Sequence, residues 1–272
     1  MTARSFDPFD PSVVGPWSLG DGTRGALLLH GFAGTPPELR RLGEHLAGHG
    51  WRCVAPTMAG HGTSPEDLSR TTWRDWAASA QAALDELAGS CERVAVAGQS
   101  MGGTMALHLA AGDARIEAVA TLAAPLRLKD WRIRLLPVAH HLVRWHESDA
   151  DDIDLYLPEA IAELHSYGRR ATRSILELDR MLRTVRGEVA MVRQPVLVLH
   201  GDRDRTIDPG NADEITRRLV SSVEVELHRY PRSGHGMSVD VDREEINARV
   251  LDWFDRHVPA TAVADREATA AG

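Results

Sequence analysis

The sequence has few cysteines and no long apolar run, and both absences limit where such a protein can work. Only 2 of its 272 residues are cysteine, Cys53 and Cys91, and intracellular domains of this kind seldom depend on disulfides. We therefore expect two packed thiols. No segment approaches the length of a membrane span, and residues 1–8 lack the apolar core of a signal peptide. These observations favour a cytoplasmic location without integral membrane association.

Basic residues do not outnumber acidic residues either. The formal net charge is −8, whereas proteins that hold nucleic-acid phosphates do so with clustered Lys and Arg. This balance argues against a nucleic-acid partner and favours a small or neutral substrate. The acidic stretch 147–154 lacks the glycine and the terminal glutamate of a calcium-binding loop, so we expect a solvated turn there and no metal.

Apolar runs of strand length alternate with helical patterns along most of the chain. Strands are predicted at 26–29, 51–55, 94–97, 116–122, 196–199 and 223–227, and helices at 37–47, 72–87 and 101–111. Such alternation is typical of a parallel sheet covered by helices on both faces. The length and the 43% hydrophobic content suffice for one substantial core. We expect one α/β domain with an insertion.

The strand pattern stops between residues 126 and 191. We expect a core made of residues 1–125 and 192–258, a lid insertion at 126–191, and a disordered tail at 259–272. The lid would lie at the carboxyl edge of the sheet, where open α/β folds bind ligands. Its apolar residues either pack against the core or line an acyl pocket, and both interpretations stay open; they are Trp131, Leu135, Leu136, Leu142 and Trp145.

One serine lies where a buried strand passes into a helix. Gly98-Gln99-Ser100-Met101-Gly102 follows the apolar run 94–97, so Ser100 is predicted on a sharp turn that exposes its hydroxyl. The flanking glycines leave room for the strand and the helix to close around a strained residue. This pattern makes Ser100 a candidate nucleophile.

Candidate acids and a candidate base follow two later strands. The run 196–199 leads into His200-Gly201-Asp202-Arg203-Asp204, and the run 223–227 leads to Ser233-Gly234-His235-Gly236. From the residues alone, both aspartates of the first run remain candidates.

The choice among the 13 histidines depends on position. His235 lies on a glycine-flanked loop after the last strand, so its ring can swing toward Ser100 while its other nitrogen meets an acid. His30 and His61 are expected to brace their loops by hydrogen bonding. His200 lies on the same strand end as the candidate acids and cannot easily reach the serine. His235 is therefore the candidate general base.

Several motifs together resemble one known family. They are 30–36 (HGFAGTP), 60–63 (GHGT), 70–76 (RTTWRDW), 98–104 (GQSMGGT) and 209–213 (PGNAD). With the chain order serine, acid, histidine, they make the chain similar to the α/β-hydrolase carboxylesterases and monoacylglycerol lipases of bacteria. The resemblance implies an α/β-hydrolase fold with a mostly parallel central sheet flanked by helices and a helical lid insertion after the sixth strand.

The resemblance also selects the acid. In this family the triad aspartate is the second one of such a loop and is followed by an aliphatic residue and a helix start with proline, and Asp204 matches that position. Asp202 is then expected to hold the loop, and Asp208 to cap the helix that follows Pro209.

The catalytic set so implied is Ser100, Asp204 and His235. His235 would take the proton of Ser100 during attack, and Asp204 would orient the imidazole and stabilise its charged form. The backbone N–H groups of Phe32 and Met101 would bind the developing oxyanion. This chemistry needs no metal and no organic cofactor.

The implied function is hydrolysis of carboxylic esters with short to medium acyl chains through an acyl-enzyme on Ser100. The alternative is a monoacylglycerol lipase. In the bacterial members a lid glutamate after a tyrosine helps to hold the glycerol headgroup, whereas Tyr167 is followed here by Gly168. A serine aminopeptidase, a perhydrolase or an acyltransferase shares the same triad, and a non-catalytic ligand-binding protein shares the same scaffold.

Overall fold

A computed structural model of the chain describes residues 10–140, 143–147, 154–164 and 166–260. Its strands are β1 (Trp17–Leu19), β2 (Arg24–Leu29), β3 (Trp51–Ala55), β4 (Arg93–Gln99), β5 (Ile116–Leu122), β6 (Trp145–Glu147), β7 (Arg169–Ala171), β8 (Val196–Gly201) and β9 (Val225–Tyr230). A seven-stranded sheet has the order β1-β3-β2-β4-β5-β8-β9. Only β1 is antiparallel to its neighbour, so the sheet is mostly parallel, as predicted.

Helices cover both faces of this sheet. They are α1 (Pro11–Val14), α2 (Arg40–Ala47), α3 (Pro65–Leu68), α4 (Trp73–Ser90), α5 (Met101–Gly112), α6 (Leu136–Ala139), α7 (Thr172–Glu188), α8 (Gly210–Arg218) and α9 (Arg243–His257). Short 3-10 helices lie at Pro36–Leu39, Trp131–Leu135, Pro158–Glu163 and Val189–Met191. The start of α4 is fixed by Asp75, whose carboxylate accepts the N–H of Thr72 at 2.7 Å.

The two faces of the sheet bury two separate apolar clusters because side chains alternate along each strand. On β2, Leu27 and Leu29 belong to the cluster that includes α4, α5, α7 and α8. Their neighbours Ala26 and Leu28 belong to the cluster that includes α2 and α9. This packing fixes the sheet, and with it the positions of the loops at its carboxyl edge.

The insertion follows β5, so five strands precede it in the described part of the chain, and a sixth strand before it is not among the described residues. The insertion is not wholly helical, since β6 and β7 form an antiparallel pair with Glu147 opposite Arg169. Arg169 also lies over the Trp145 ring, 4.4 Å from its centroid, and such cross-strand pairs stabilise a short ribbon.

Some predictions fall outside the described residues. These are Leu142, Asp149, Asp151 and Asp152 of the insertion and residues 261–272 of the expected tail. Cys53 and Cys91 are both free thiols. Of the helices in the described part of the chain, none combines the length and the apolar character needed to cross a membrane.

Candidate active site

Ser100 lies on a strained turn between β4 and α5. Its backbone has φ 54° and ψ −123°, a conformation that costs an L-residue energy and is held only by tight surroundings. A Cβ at Gly98 would lie 2.2 Å from the carbonyl carbon of Gly102, and one at Gly102 would lie 1.9 Å from the Leu29 carbonyl oxygen. The glycines around the serine are therefore required by close backbone approach, as the sequence predicts.

The structure brings Ser100, His235 and Asp204 together at the carboxyl edge of the sheet. His235 Nε2 lies 3.0 Å from Ser100 Oγ, and His235 Nδ1 lies 2.8 Å from Asp204 Oδ2. The other oxygen of Asp204 accepts the N–H of Ile207 at 2.7 Å. This line of hydrogen bonds can move the serine proton onto the imidazole and stabilise it there.

Charge at this site favours an ionised acid and a basic histidine. Burial alone raises the pKa of Asp204, but the charge of His235 and hydrogen bonds from His200, His235 and Ile207 bring it well below its usual range. Burial alone lowers the pKa of His235, but the charge and the hydrogen bond of Asp204, with smaller contributions from Asp154 and Glu38, raise it above its ordinary value. The imidazole is thus a stronger base than a free histidine.

His200 contacts the acid, a role that the sequence reasoning missed. Its Nε2 lies 3.2 Å from Asp204 Oδ2, and neither side chain is accessible to solvent. A histidine that ends a buried strand four residues before an aspartate is the signal that was available. Asp202, expected to hold the loop, instead faces solvent and pairs with Arg229 at 3.5 Å. Asp208 accepts the N–H of Gly210 at 2.8 Å, so it caps α8 as expected.

The two predicted oxyanion donors belong to two segments next to Ser100. Met101 is the first residue of α5, and Phe32 lies in the loop that follows β2. A Cβ at Gly31 would lie 3.5 Å from the Cβ of Ser100, so this loop passes directly beside the nucleophile candidate. Ala33 has φ 59°, a second strained position next to Phe32.

The buried histidines His30 and His61 each form a hydrogen bond within their own loop, as the sequence predicts, and His30 also joins its loop to the loop that follows β3. Burial lowers the pKa of His30 to about 4, so its ring is neutral and accepts the Met58 N–H at Nε2 (3.1 Å) while Nδ1 donates to the Gly31 carbonyl (2.9 Å). The Nδ1 of His61 lies 3.2 Å from the Ala59 carbonyl oxygen.

Glu38 also holds the loop that follows β2, a role that the sequence analysis did not predict. Its Oε2 accepts the N–H of Gly31 at 3.0 Å, and the side chain is buried. Burial raises its pKa to about 7, against the opposing effect of hydrogen bonds from Gly31 and Thr35 and the charge of His235. The sequence analysis placed Glu38 only at the start of the predicted helix 37–47, although a glutamate near a helix start often bonds back to preceding N–H groups.

The insertion is attached to the site through Tyr167. Its N–H donates to the Ala33 carbonyl at 3.2 Å, and its hydroxyl donates to the Gly60 carbonyl at 3.1 Å and accepts the Thr63 N–H at 2.9 Å. The next residue, Gly168, has open space where a Cβ would lie. In the described part of the chain, no group of three or more His, Cys, Asp and Glu residues is placed to hold a metal ion.

Comparisons with known proteins show which family the chain resembles. The family model described as serine aminopeptidase, S33, matches residues 23–242. A thermostable monoacylglycerol lipase of Bacillus sp. (strain H-257) is 34% identical over 89% of this chain and 94% of its own length. A carboxylesterase of Bacillus subtilis (strain 168) is 26% identical over 89% and 96%. A solved structure of a metagenome-derived lipolytic enzyme superposes with a TM-score of 0.84 and 26% identity over 90% of this chain and 98% of that one.

Proposed function

Because the chain belongs to the serine aminopeptidase S33 family and is a carboxylic ester hydrolase of the α/β-hydrolase fold, we propose that Ser100, His235 and Asp204 are its catalytic triad. The observation that carries this proposal is the unbroken line of hydrogen bonds from Ser100 Oγ through both nitrogens of His235 to Asp204 Oδ2. A serine on a strained turn beside a basic imidazole is the arrangement that activates an alcohol.

In the proposed reaction, Ser100 Oγ attacks the ester carbonyl carbon as His235 Nε2 takes the hydroxyl proton. The tetrahedral oxyanion accepts hydrogen bonds from the backbone N–H groups of Phe32 and Met101. Loss of one such donor raises the activation free energy by about 3 kcal/mol in enzymes of this kind. Collapse expels the alcohol, which receives the proton from His235. Water activated by the same nitrogen then attacks the acyl-enzyme and releases the acid.

The proposed substrates are esters with apolar acyl groups of short to medium length. Monoacylglycerols are the second candidate, since the relative at 34% identity is named a monoacylglycerol lipase. Gly168 argues against selectivity for glycerol esters. It follows Tyr167 at the place where the bacterial lipases are expected to carry a glutamate. A cytoplasmic location and the division into core and lid remain predictions from the sequence.

The test of the triad is Ser100→Ala with p-nitrophenyl butyrate as the substrate. We expect turnover to fall to the background rate while the unfolding transition is retained, because the hydroxyl contributes to chemistry and little to packing. Ser69→Ala is the matched control, since this serine directly follows α3 and its hydroxyl donates to the Glu66 carbonyl within the same turn. Hydrolysis at the control rate by Ser100→Ala would refute the proposal.

The substrate class is tested with p-nitrophenyl esters of rising chain length, monoacylglycerols and aminoacyl amides. We expect the esters to have the highest kcat/KM. Gly168→Glu restores the missing carboxylate at a position with open space for a side chain, and it should raise the preference for monoacylglycerol over the matching ester. A wild-type preference for aminoacyl amides would instead identify a peptidase.

A further inference from the structure

Asp154 of the insertion contacts the loop that carries the acid and the loop that carries the base. Its Oδ2 accepts the N–H of Arg205 at 2.6 Å, and Arg205 directly follows Asp204. Its main-chain carbonyl accepts the N–H of His235 at 3.2 Å. Asp154 is 5% exposed, so this contact is buried between the two loops.

The glycines beside His235 allow the insertion to approach this closely. A Cβ at Gly234 would lie 2.4 Å from the main-chain oxygen of Asp154, and one at Gly236 would lie 2.4 Å from Cδ2 of Leu155. The sequence reasoning took these glycines as a source of freedom for the His235 ring. In the structure they accommodate the insertion on both sides of the histidine.

A second buried carboxylate, Asp240, makes the return contact from the core. Its Oδ1 accepts the N–H groups of Tyr156 at 2.9 Å and Leu157 at 2.8 Å, and its Oδ2 accepts the N–H of Gly234 at 3.4 Å. Asp240 has no accessible surface. Residues 154–157 are thus held to the histidine loop by backbone and carboxylate bonds from both directions.

The negative charge of Asp154 also acts on the imidazole. The carboxylates that face His235 are Asp204, Asp154 and Glu38, and each favours its charged form. The cation beside Asp154 is its neighbour Arg205, whose Nε lies 3.4 Å from Oδ1 and whose side chain is largely exposed. An exposed guanidinium is screened by water, so it offsets little of the carboxylate's charge.

We propose that Asp154 is a positioning residue for the proposed triad, which fixes the Asp204 and His235 loops relative to each other and adds to the negative charge around the imidazole. This proposal rests on the proposed roles of Ser100, His235 and Asp204. The segment 154–157 is then a fixed part of the catalytic centre. Any movement of the rest of the insertion would have to leave these four residues in place.

The test compares Asp154→Asn with Asp154→Ala by measuring kcat and kcat/KM for p-nitrophenyl butyrate from about pH 5 to pH 9, across the histidine range. The asparagine keeps an oxygen for the Arg205 N–H but has no charge. We therefore expect a plateau kcat within about twofold of wild type and an acid limb displaced to lower pH, because the His235 imidazolium loses one stabilising charge. A purely structural role would leave the acid limb unchanged.

Alanine removes the hydrogen bond as well, so kcat should fall by tenfold or more, up to about 100-fold for a misplacement near 1 Å, with KM little changed. Glu159→Ala, which removes an exposed charge from the same insertion, should behave as wild type. A wild-type acid limb in Asp154→Asn, or a wild-type kcat in Asp154→Ala, overturns the proposal. Full activity in Ser100→Ala would instead refute the proposed function, whatever the Asp154 variants do.

Discussion

Backbone strain in this protein is concentrated beside Ser100. Among the described residues, the non-glycine positions with positive φ are Ala33, Ser100 and Ala123. Ala33 follows Phe32 in the loop after β2. Ala123 directly follows β5, whose last residue, Leu122, accepts the N–H of Ser100 at its carbonyl (2.7 Å). Such conformations cost about 1–3 kcal/mol each and persist where the surroundings determine them. The surrounding strands supply that constraint.

Which site residues could be predicted from the sequence depends on how local their signals are. Ser100 and His235 lie in short glycine-bounded runs directly after strands, and those runs are readable one residue at a time. Asp154 acts through contacts with Arg205 and His235, which are distant from it in sequence, and a lone buried carboxylate has no periodic signature. The choice of Asp204 over Asp202 needed the family resemblance.

The pKa of Glu38 predicts a pH-dependent stability. Burial raises it from 4.5 to about 7, so the native state holds this proton more tightly than the unfolded chain does. The stability that the group contributes is full below about pH 4.5 and is lost as the pH rises through about 7. Glu38→Gln does not titrate, so it should gain stability relative to wild type between pH 5 and pH 8, on the order of 3 kcal/mol.

Urea unfolding of both proteins at the two pH values measures this change. Glu44→Gln is the control, because Glu44 lies exposed on α2 in an ion pair with Arg40 and should show no such trend. An equal difference between Glu38→Gln and wild type at the two pH values would show that Glu38 titrates as it does in the unfolded chain.

At the scale of the elements, the six predicted strands and the predicted helices 37–47, 72–87 and 101–111 each have a counterpart in the structure. Helix α8 was expected only from the family resemblance, and helix α9 and the short strands β1, β6 and β7 were not predicted. The expected strands 51–55 and 116–122 coincide with β3 and β5. β1, β6 and β7 have 3 residues each, which is too short for the alternation of apolar and polar residues to be recognised. β6 and β7 also depend on cross-strand pairing between segments of the insertion that are distant in sequence.

Helix α5 offers a matched pair of glycines that separates helix propensity from close packing. A Cβ at Gly102 would lie 1.9 Å from the Leu29 carbonyl oxygen, whereas a Cβ at Gly112 would meet nothing within 4 Å. Alanine favours a helix over glycine by up to about 1 kcal/mol at either position. Gly112→Ala should therefore be neutral or stabilising, while Gly102→Ala should lose about 1–3 kcal/mol or more through overpacking.

Denaturant unfolding and the esterase rate report on both variants. Gly102→Ala should also lose activity, because the displaced Leu29–His30 backbone leads directly into the loop that carries Phe32. Equal free energies of unfolding for the two variants would show that α5 lies farther from β2 than it does in this structure.

At the scale of the whole molecule, the order of the strands explains why residues that are distant in sequence lie close together. Ser100, Asp204 and His235 follow β4, β8 and β9, which are parallel members of one sheet, so the alternating pattern alone predicts that they share an edge. β5 lies between β4 and β8 in the sheet, and the insertion leaves from its end. The insertion thus emerges between the serine and the acid, a placement that required the strand order and could not be derived from the sequence.

The central claim, that ester cleavage proceeds through an acyl-enzyme on Ser100, is tested most directly by mass spectrometry of the protein acid-quenched during turnover of p-nitrophenyl hexanoate. We predict one hexanoyl group, located by peptide mapping on the peptide that contains Ser100, and none in Ser100→Ala. A hexanoyl group on a different residue, or its persistence in Ser100→Ala at the wild-type level, would contradict the account.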